Sequence, residues 1–330
     1  MIYRADRGDN GVSAIVRPFD FDRDTATVAA LWHDALGTTW PLTADRLGAV
    51  LGALDPARGG AHFVAEAGSG LLGFVATQTR RSRPGTPPEG YLPALVIAPA
   101  ARRRGIGTAL HDRAIARLRE QGVRRMQLGA GEPRFWPGVP TNLPGAEPFF
   151  RARGWAFDAV SHDLIRDLRA PHAPDPGWGR APAGVALAVA TPADLPDLLA
   201  FERREFPAWQ GAYAALAARG VADDFLIARR ADGALVGALI LYAAARSRPP
   251  RHDVPWSALL GDDRGGLGAV GVAAVARGRG IGAALVAHGS AVLSARGVGT
   301  CCIGWTWLLD FYGRDGYRPW RSYAMSWRDL

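Results

Sequence analysis

Two short stretches of this sequence are built to hold a multiply charged anion. Arg102-Arg103-Arg104-Gly105-Ile106-Gly107-Thr108 and Arg277-Gly278-Arg279-Gly280-Ile281-Gly282-Ala283 each place arginine before two glycines one residue apart, then run into an apolar helical pattern. The glycines remove side chains where a ligand must approach the main chain. A helix starting there presents unpaired N–H groups and the positive end of its dipole, which together suit a pyrophosphate. One exposed helix end contributes only ~0.3–1 kcal/mol, so binding must rest on several directed N–H bonds, with the guanidinium groups adding phosphate contacts. A Walker loop is excluded because the chain has no lysine, and a Rossmann loop because Leu110 and Leu285 stand where it needs a third small residue.

The two stretches belong to a long internal repeat. Arg102, Arg104, Gly105, Ile106, Gly107 and Leu110 recur as Arg277, Arg279, Gly280, Ile281, Gly282 and Leu285, each pair 175 positions apart, as Gly105 is from Gly280. The spacing holds for Gly122-Val123 against Gly297-Val298 and for Gly129 against Gly304. Flanking echoes at other spacings mark loop-length differences. They are Arg81-Ser82-Arg83-Pro84 against Arg246-Ser247-Arg248-Pro249, and Phe149-Phe150 with Gly154-Trp155 against Phe311-Tyr312 with Gly316-Tyr317.

The elements that must position these loops follow the same plan twice. In the first half, strands are expected over 14–18, 62–66, 71–79 and 91–97, with helices through 28–36 and 44–54. Ile106, Ala109, Leu110, Ala114 and Leu118 mark one face of the helix after the loop, with Gly122 as its left-handed stop. Met126 begins the next strand. In the second half, strands are expected over 185–190, 225–228, 235–242 and 269–273. Thr191-Pro192 starts a helix, a longer helix spans 281–295, and a short helix and a last strand over 317–326 close the chain. This is a mixed α/β fold in tandem: a first domain over 1–168, an exposed Pro/Gly-rich linker over 169–184, and a second domain over 185–330.

The 330 residues suffice for two domains with cores of their own. No apolar run approaches the ~20 residues of a membrane span, and the start of the chain has no apolar signal segment, so a cytoplasmic protein is expected. The net charge of +8 comes entirely from arginine and suits an anionic ligand. Without basic runs interleaved with aromatics, helix-turn-helix or zinc-finger spacing, nucleic acid is not expected as a partner. Cys301 and Cys302 are adjacent, a poor geometry for a mutual disulfide, and read as residues of a half-buried strand; no metal site is expected.

With a strand, R-x-x-G-x-G and a helix in both halves, the sequence resembles the GNAT family of N-acetyltransferases. LVIAPAARRRGIG fits the family's motif closely, and AVGVAAVARGRGIG fits with Ala274 in place of a proline. The resemblance covers nearly the whole chain outside the linker. It implies that acetyl-CoA is the co-substrate. Main-chain groups of Leu95, Val96 and Ile97, and of Val270, Gly271 and Val272, would pair with the pantetheine arm. The amides of Arg103 to Thr108 (Arg103, Arg104, Gly105, Ile106, Gly107, Thr108) and of Gly278 to Ala283 would hold the pyrophosphate. The family's strand also bulges there and aims an N–H at the thioester carbonyl, an oxyanion-type contact.

In many family members a tyrosine on the short helix after the fifth strand protonates the departing thiolate. DFYGRDGY places Tyr312 there; an aromatic packing role is its other reading. A tyrosine of ordinary pKa ~10 is protonated at neutral pH and can donate. The first half carries Phe150 at this place and has no proton to give, so the second half is expected to be the catalytic centre. The resemblance thus implies an acetyl-CoA-dependent N-acetyltransferase acting on a small-molecule amine, as a monomer or homodimer. The alternative is an acyl-CoA-binding or sensing protein with one or both halves inactive. Asp262, Asp263, Glu205 and Glu89 are candidate general bases or surface carboxylates, and His252 reads as a loop residue. Phe135, Trp136, Trp305 and Trp307 line an acceptor pocket or pack over the sheet.

Overall fold

Main-chain hydrogen bonding in the first repeat starts from caps that the sequence supplies. The computed structural model of the protein describes residues 3–4, 14–52, 61–68, 70–81, 85–131, 133–172, 177–246 and 256–330. His252 and most of the two Arg-Ser-Arg-Pro echoes lie outside the described residues. The first repeat comprises β1 (Tyr3–Arg4), β2 (Ile15–Pro18), α1 (Phe21–Leu36), α2 (Ala44–Leu51), β3 (Phe63–Ala67), β4 (Gly70–Arg80), β5 (Glu89–Ile97), α3 (Ile106–Glu120), β6 (Arg125–Leu128), β7 (Val139–Pro140), α4 (Ala146–Arg151) and β8 (Ala159–Asp167). Asp20 caps α1 by accepting from the Arg23 N–H at 2.8 Å, and Thr43 caps α2 by accepting from that of Arg46 at 3.2 Å.

The second repeat comprises β9 (Val185–Val189), α5 (Leu195–Glu205), α6 (Gln210–Ala217), β10 (Phe225–Arg230), β11 (Leu235–Ala243), β12 (Arg264–Val272), α7 (Ile281–Ala295), β13 (Thr300–Thr306), α8 (Leu309–Gly313), β14 (Arg318–Met325) and β15 (Trp327–Asp329). Thr191 and Asp194 form a reciprocal capping box at the turn that leads into α5. β12 begins five residues before the expected Ala269, and its glycines are part of the strand. Among the described residues, no helix is long and apolar enough to cross a membrane.

The chain forms two compact units, and their boundaries differ from the expected ones. Unit 1 is Met1–Ser161 with Ser322–Leu330, and unit 2 is His162–Arg321. Residues 169–184 fall inside unit 2, where Trp178 packs edge-on against Phe311 at 5.2 Å and donates to Asp315 at 3.3 Å. The reason for the shift is strand pairing. The sheet of unit 1 has the order β1-β2-β3-β4-β5-β6-β15, so the end of the chain completes it. The sheet of unit 2 includes the run β8-β13-β12-β11-β10-β9, so the last strand of the first repeat sits at β13. The two pairings have the same register: Arg125 faces Asp329 in unit 1, and Thr300 faces Asp167 in unit 2. Both sheets are mixed, with β5–β6 and β12–β13 the parallel pairs and their other strand pairs antiparallel.

Each unit has its own apolar core. In unit 1 it joins Phe63, Val75 and Leu92 of the sheet to Leu110, Ala114 and Leu118 of α3. In unit 2 it joins Leu226, Leu239 and Leu267 to Leu285 and Leu293 of α7 and to Leu198 and Phe201 of α5. Cys301 and Cys302 are fully buried, not half-buried, because β13 is an interior strand between β12 and β8.

Candidate active site

Both glycine loops are made the same way, starting from the strand that feeds them. β5 and β12 run parallel to β6 and β13, with ladders that end at Leu92–Leu128 and at Leu267–Ile303. Past that point β5 continues to Ile97 and β12 to Val272, so the last residues of each strand leave their parallel neighbour. Leu95, Val96, Ile97 and Val270, Gly271, Val272 occupy these freed ends. A single turn of 3₁₀ helix follows in each copy. The first arginine of each motif then folds back: Arg102 Nε donates to the Ile97 carbonyl at 3.3 Å, and Arg277 Nε to that of Val272 at 3.0 Å. These two guanidinium groups therefore shape the loop, and the exposed Arg103, Arg104 and Arg279 stand beside it.

The caps of α3 and α7 are Gly105 and Gly280, with φ of 76° and 82°, a left-handed conformation that disfavours any side chain. A Cβ at either would meet nothing within 4 Å, so both caps face open space. Neither helix has a side-chain cap, which leaves the N–H groups of its opening turn, from Ile106 to Thr108 and from Ile281 to Ala283, without that partner. Gly107 and Gly282 face inward instead, against Phe149 and Phe311. The copies differ at one loop position. Arg103 adopts φ 63° where Gly278, at the same place in the repeat, has 75°.

Behind the loops the side chains diverge. In unit 2, Tyr312 on α8 is buried, with its ring edge-on to Phe311 at 4.9 Å and to Tyr317 at 6.3 Å. Burial pushes its hydroxyl up to about 12, so it holds its proton at neutral pH. Tyr317 lies within 2.9 Å of Ser290 Oγ and donates to Cys301 Sγ at 3.1 Å, and Ser290 donates to Asp315 at 3.0 Å. In unit 1, Phe150 packs edge-on to Phe149 and Trp155, and Trp155 Nε1 donates to His111 at 3.1 Å. Burial holds the His111 imidazole below its ordinary range, so it is the neutral ring that accepts.

The far side of each sheet differs as well. In unit 1 the chain leaves β6 through Gly129, Ala130 and Gly131, all at positive φ, into a segment carrying Phe135 and Trp136. Trp136 stacks on Trp32 at 5.2 Å and meets Trp40 edge-on at 5.5 Å, all three buried. In unit 2 the chain runs on along β13 to Trp305, at φ 55°, and to Trp307 and Leu308, which are 50% and 56% exposed. Phe206 and Trp209, stacked at 4.9 Å, flank β12, and Phe206 lies against Gly271.

The carboxylates singled out by sequence do not gather at this cleft. Asp262 and Asp263 precede β12, and Asp263 pairs with Arg169 at 3.1 Å. Ala269 is six residues further on, about 20 Å at strand rise. Glu89 opens β5 and accepts from Tyr91 at 2.8 Å. Glu205 accepts from the Ala274 N–H at 3.3 Å and so closes the turn after β12. Sequence reasoning passed over Glu202, which is fully buried on α5 and pushed up to about 8 by that burial. Its signal was legible: it falls on the apolar face set by Leu198 and Phe201.

Residues 26–135, a third of the chain, match the acetyltransferase (GNAT) family. The chain therefore carries a GNAT acetyltransferase domain. The chain is 28% identical over 246 residues to the mycothiol acetyltransferase of Nocardia farcinica, covering 72% of this chain and 71% of that protein. Among solved structures it is similar to the GCN5-related glucosamine N-acetyltransferase region of a fungal multi-domain GH3 β-N-acetylglucosaminidase. There the TM-score is 0.87 with 36% identity over 98% of this chain, which spans only 39% of the fungal protein's length. A tandem GNAT protein from the clavulanic acid biosynthesis pathway shares the fold, with a TM-score of 0.66, 18% identity, and 96% and 98% of the two chains covered. The two sheets of this GNAT-type protein accord with such a tandem architecture.

Proposed function

We propose that the protein transfers acetyl from acetyl-CoA to the amine of a small molecule, with unit 2 as the centre of the reaction. The observation that carries this reading is the difference at one place in the repeat: a protonated, buried Tyr312 in unit 2 and Phe150 in unit 1. The open caps at Gly105 and Gly280 fit the pyrophosphate of acetyl-CoA, and the freed ends of β5 and β12 fit its pantetheine arm. Acetyl-CoA would supply an acetyl group activated as a thioester. The amides of Gly278 to Ala283 orient it, the main chain of Ala269 and Val270 offers an N–H to the oxyanion, and Tyr312 holds the proton that the leaving sulfur takes up. An acyl-CoA-binding role without turnover remains the second reading for unit 1, favoured by Phe150.

For the acceptor we favour an amino sugar, on two grounds. The relative with 36% identity is a glucosamine N-acetyltransferase region, and unit 2 carries two partly exposed indoles, Trp209 and Trp307, a side-chain type suited to a sugar ring. The site of action is then the cytoplasm, where acetyl-CoA is made and used. Free CoA release with a panel of amines, glucosamine among them, tests the reading. Tyr312→Phe should lower kcat by about 100-fold while acetyl-CoA affinity by calorimetry stays within about twofold. Unchanged kcat removes Tyr312 from its role, and CoA release with no amine of the panel leaves the binding protein as the better reading.

A further inference from the structure

We infer that Tyr213 and Glu202 are a positioning pair that aims the Val270 N–H into the acyl-transfer cleft of unit 2. The inference rests on unit 2 being the transfer centre. It starts from an irregularity in β12. Ala238 of β11 faces Gly271 and Ile240 faces Gly268, so Ala269 and Val270 stand together opposite Leu239. Ala269 sits at φ 46°, a left-handed conformation that a residue with a side chain rarely adopts unless it is held. Tyr213 on α6 holds it, donating its hydroxyl proton to the Ala269 carbonyl at 3.0 Å.

That carbonyl and the Val270 N–H belong to one planar trans peptide and point in opposite directions. Anchoring the carbonyl behind the strand therefore fixes where the N–H points, and the accepted hydrogen bond polarises it. Tyr213 is itself immobile: its ring is fully buried and stacked on Phe225 at 5.2 Å, nearly parallel.

Glu202 decides whether Tyr213 can do this. Its carboxyl is buried on α5 close enough to Tyr213 for each to act on the other. Yet neither oxygen has an aligned hydrogen-bond partner among the described residues, because the one phenolic proton is spent on Ala269. A neutral Glu202 leaves that proton in place. An ionised Glu202 competes for it and frees the Ala269 carbonyl. Burial keeps Glu202 neutral until about pH 8. Of the elements packed against α5, α6 brings Tyr213 and β11 brings Tyr242. The turn before α5 brings Asp194, which is engaged by the Thr191 N–H and by Arg229.

The test uses the full chain, with acetyl-CoA and glucosamine as substrates and hydrogen exchange of the 267–272 segment as a readout that needs no acceptor. Tyr213→Phe should lower kcat by about tenfold or more, leave KM for acetyl-CoA within about twofold, and speed exchange in this segment by a similar factor. Glu202→Gln, which mimics the neutral acid, should match the unmodified protein near neutral pH. It should also abolish the fall in rate and the rise in corrected exchange that the unmodified protein shows above about pH 8. The acceptor's own ionisation affects both proteins alike and cancels in their ratio. Exchange and kcat unmoved by Tyr213→Phe, or an alkaline limb kept by Glu202→Gln, overturns the pair. Gly280→Asp separates the two levels: if it still turns over, the assignment of unit 2 has failed. If it is inactive while Tyr213→Phe is normal, only the pair has.

Discussion

The two glycine loops share their backbone and differ in what stands behind it. Arg102 and Arg277 fold back on the equivalent strand carbonyls, and Gly105 and Gly280 cap their helices at nearly the same φ. A loop of this kind is set by main-chain geometry and needs few side-chain identities, and both copies have it. Proton transfer depends on single atoms, and there the copies part: Phe150 and the Trp155–His111 pair in unit 1, Tyr312 and the Tyr317–Ser290 network in unit 2. The cleft side follows the same division. Trp136 and Trp32 are packed into the interior of unit 1, while Trp307 is half exposed in unit 2.

The largest effect is expected where the copies depend on each other's sequence. Deleting Trp327–Leu330 removes β15 from the sheet of unit 1. It takes with it the Trp327 bond to Gln127 at 3.0 Å, the Arg328 bond to the Arg153 carbonyl at 3.0 Å and the Leu330 bond to Arg124 at 2.9 Å. Unit 1 should lose its cooperative melting, and exchange protection in α3 should collapse, whereas β13 keeps its partner β8 and unit 2 keeps its protection. Equal protection in α3 before and after deletion would show that β15 is dispensable.

Next in size is a matched pair of charge insertions. Gly105→Asp and Gly280→Asp each place a carboxylate at a cap of nearly identical φ and open surroundings, so their backbone costs, about 1 kcal/mol, are alike. Each should remove one acetyl-CoA site in calorimetry. Only Gly280→Asp should abolish turnover, by about 100-fold or more, since a carboxylate there repels phosphate and reverses the favourable dipole interaction. Equal losses of turnover from both would mean that the two units work together in transfer.

How far this comparison could be read from sequence depends on how local each feature is. The bounds of α7 were legible from its apolar period and from Gly297, because helix bonding is local. β12 was legible only from Ala269 on, because Gly265, Gly266 and Gly268 bring no apolar side chains to its first half. A Cβ at Gly265 would lie 2.5 Å from the Tyr242 carbonyl and 2.8 Å from Val298, so packing against neighbouring strands requires a glycine there. The boundary at 169–184 was misplaced for a related reason: β8 and β15 pair with strands remote in sequence. The two glycine loops and the Phe150–Tyr312 difference could be lined up in the sequence because a repeat reports itself by spacing. The bond from Tyr213 to Ala269 could not, because its acceptor is a carbonyl and carries no residue type.

The most local effect separates the units by pH. In unit 1, His62 is buried with Nε2 bonded to the Leu51 carbonyl at 3.0 Å and Nδ1 accepting from the Thr77 N–H at 3.2 Å, which leaves no room for a second proton. Burial lowers it to about 4 from 6.5, so the folded state favours the neutral ring. Its contribution is intact above pH 6.5 and is lost as pH falls through 4. Glu202 in unit 2 is raised to about 8 from 4.5, so the folded state favours its protonated form. Its contribution is intact below pH 4.5 and is lost as pH rises through 8. The losses are on the order of 3 kcal/mol for His62 and about 5 kcal/mol for Glu202, at ~1.4 kcal/mol per unit of pKa difference. Acid should therefore loosen unit 1 first and alkali unit 2 first, read by hydrogen exchange of α1 against α5. Glu202→Gln should flatten the alkaline side for α5 and leave the acid side of α1 unchanged. An alkaline loss in α5 that survives this substitution would assign it to another group.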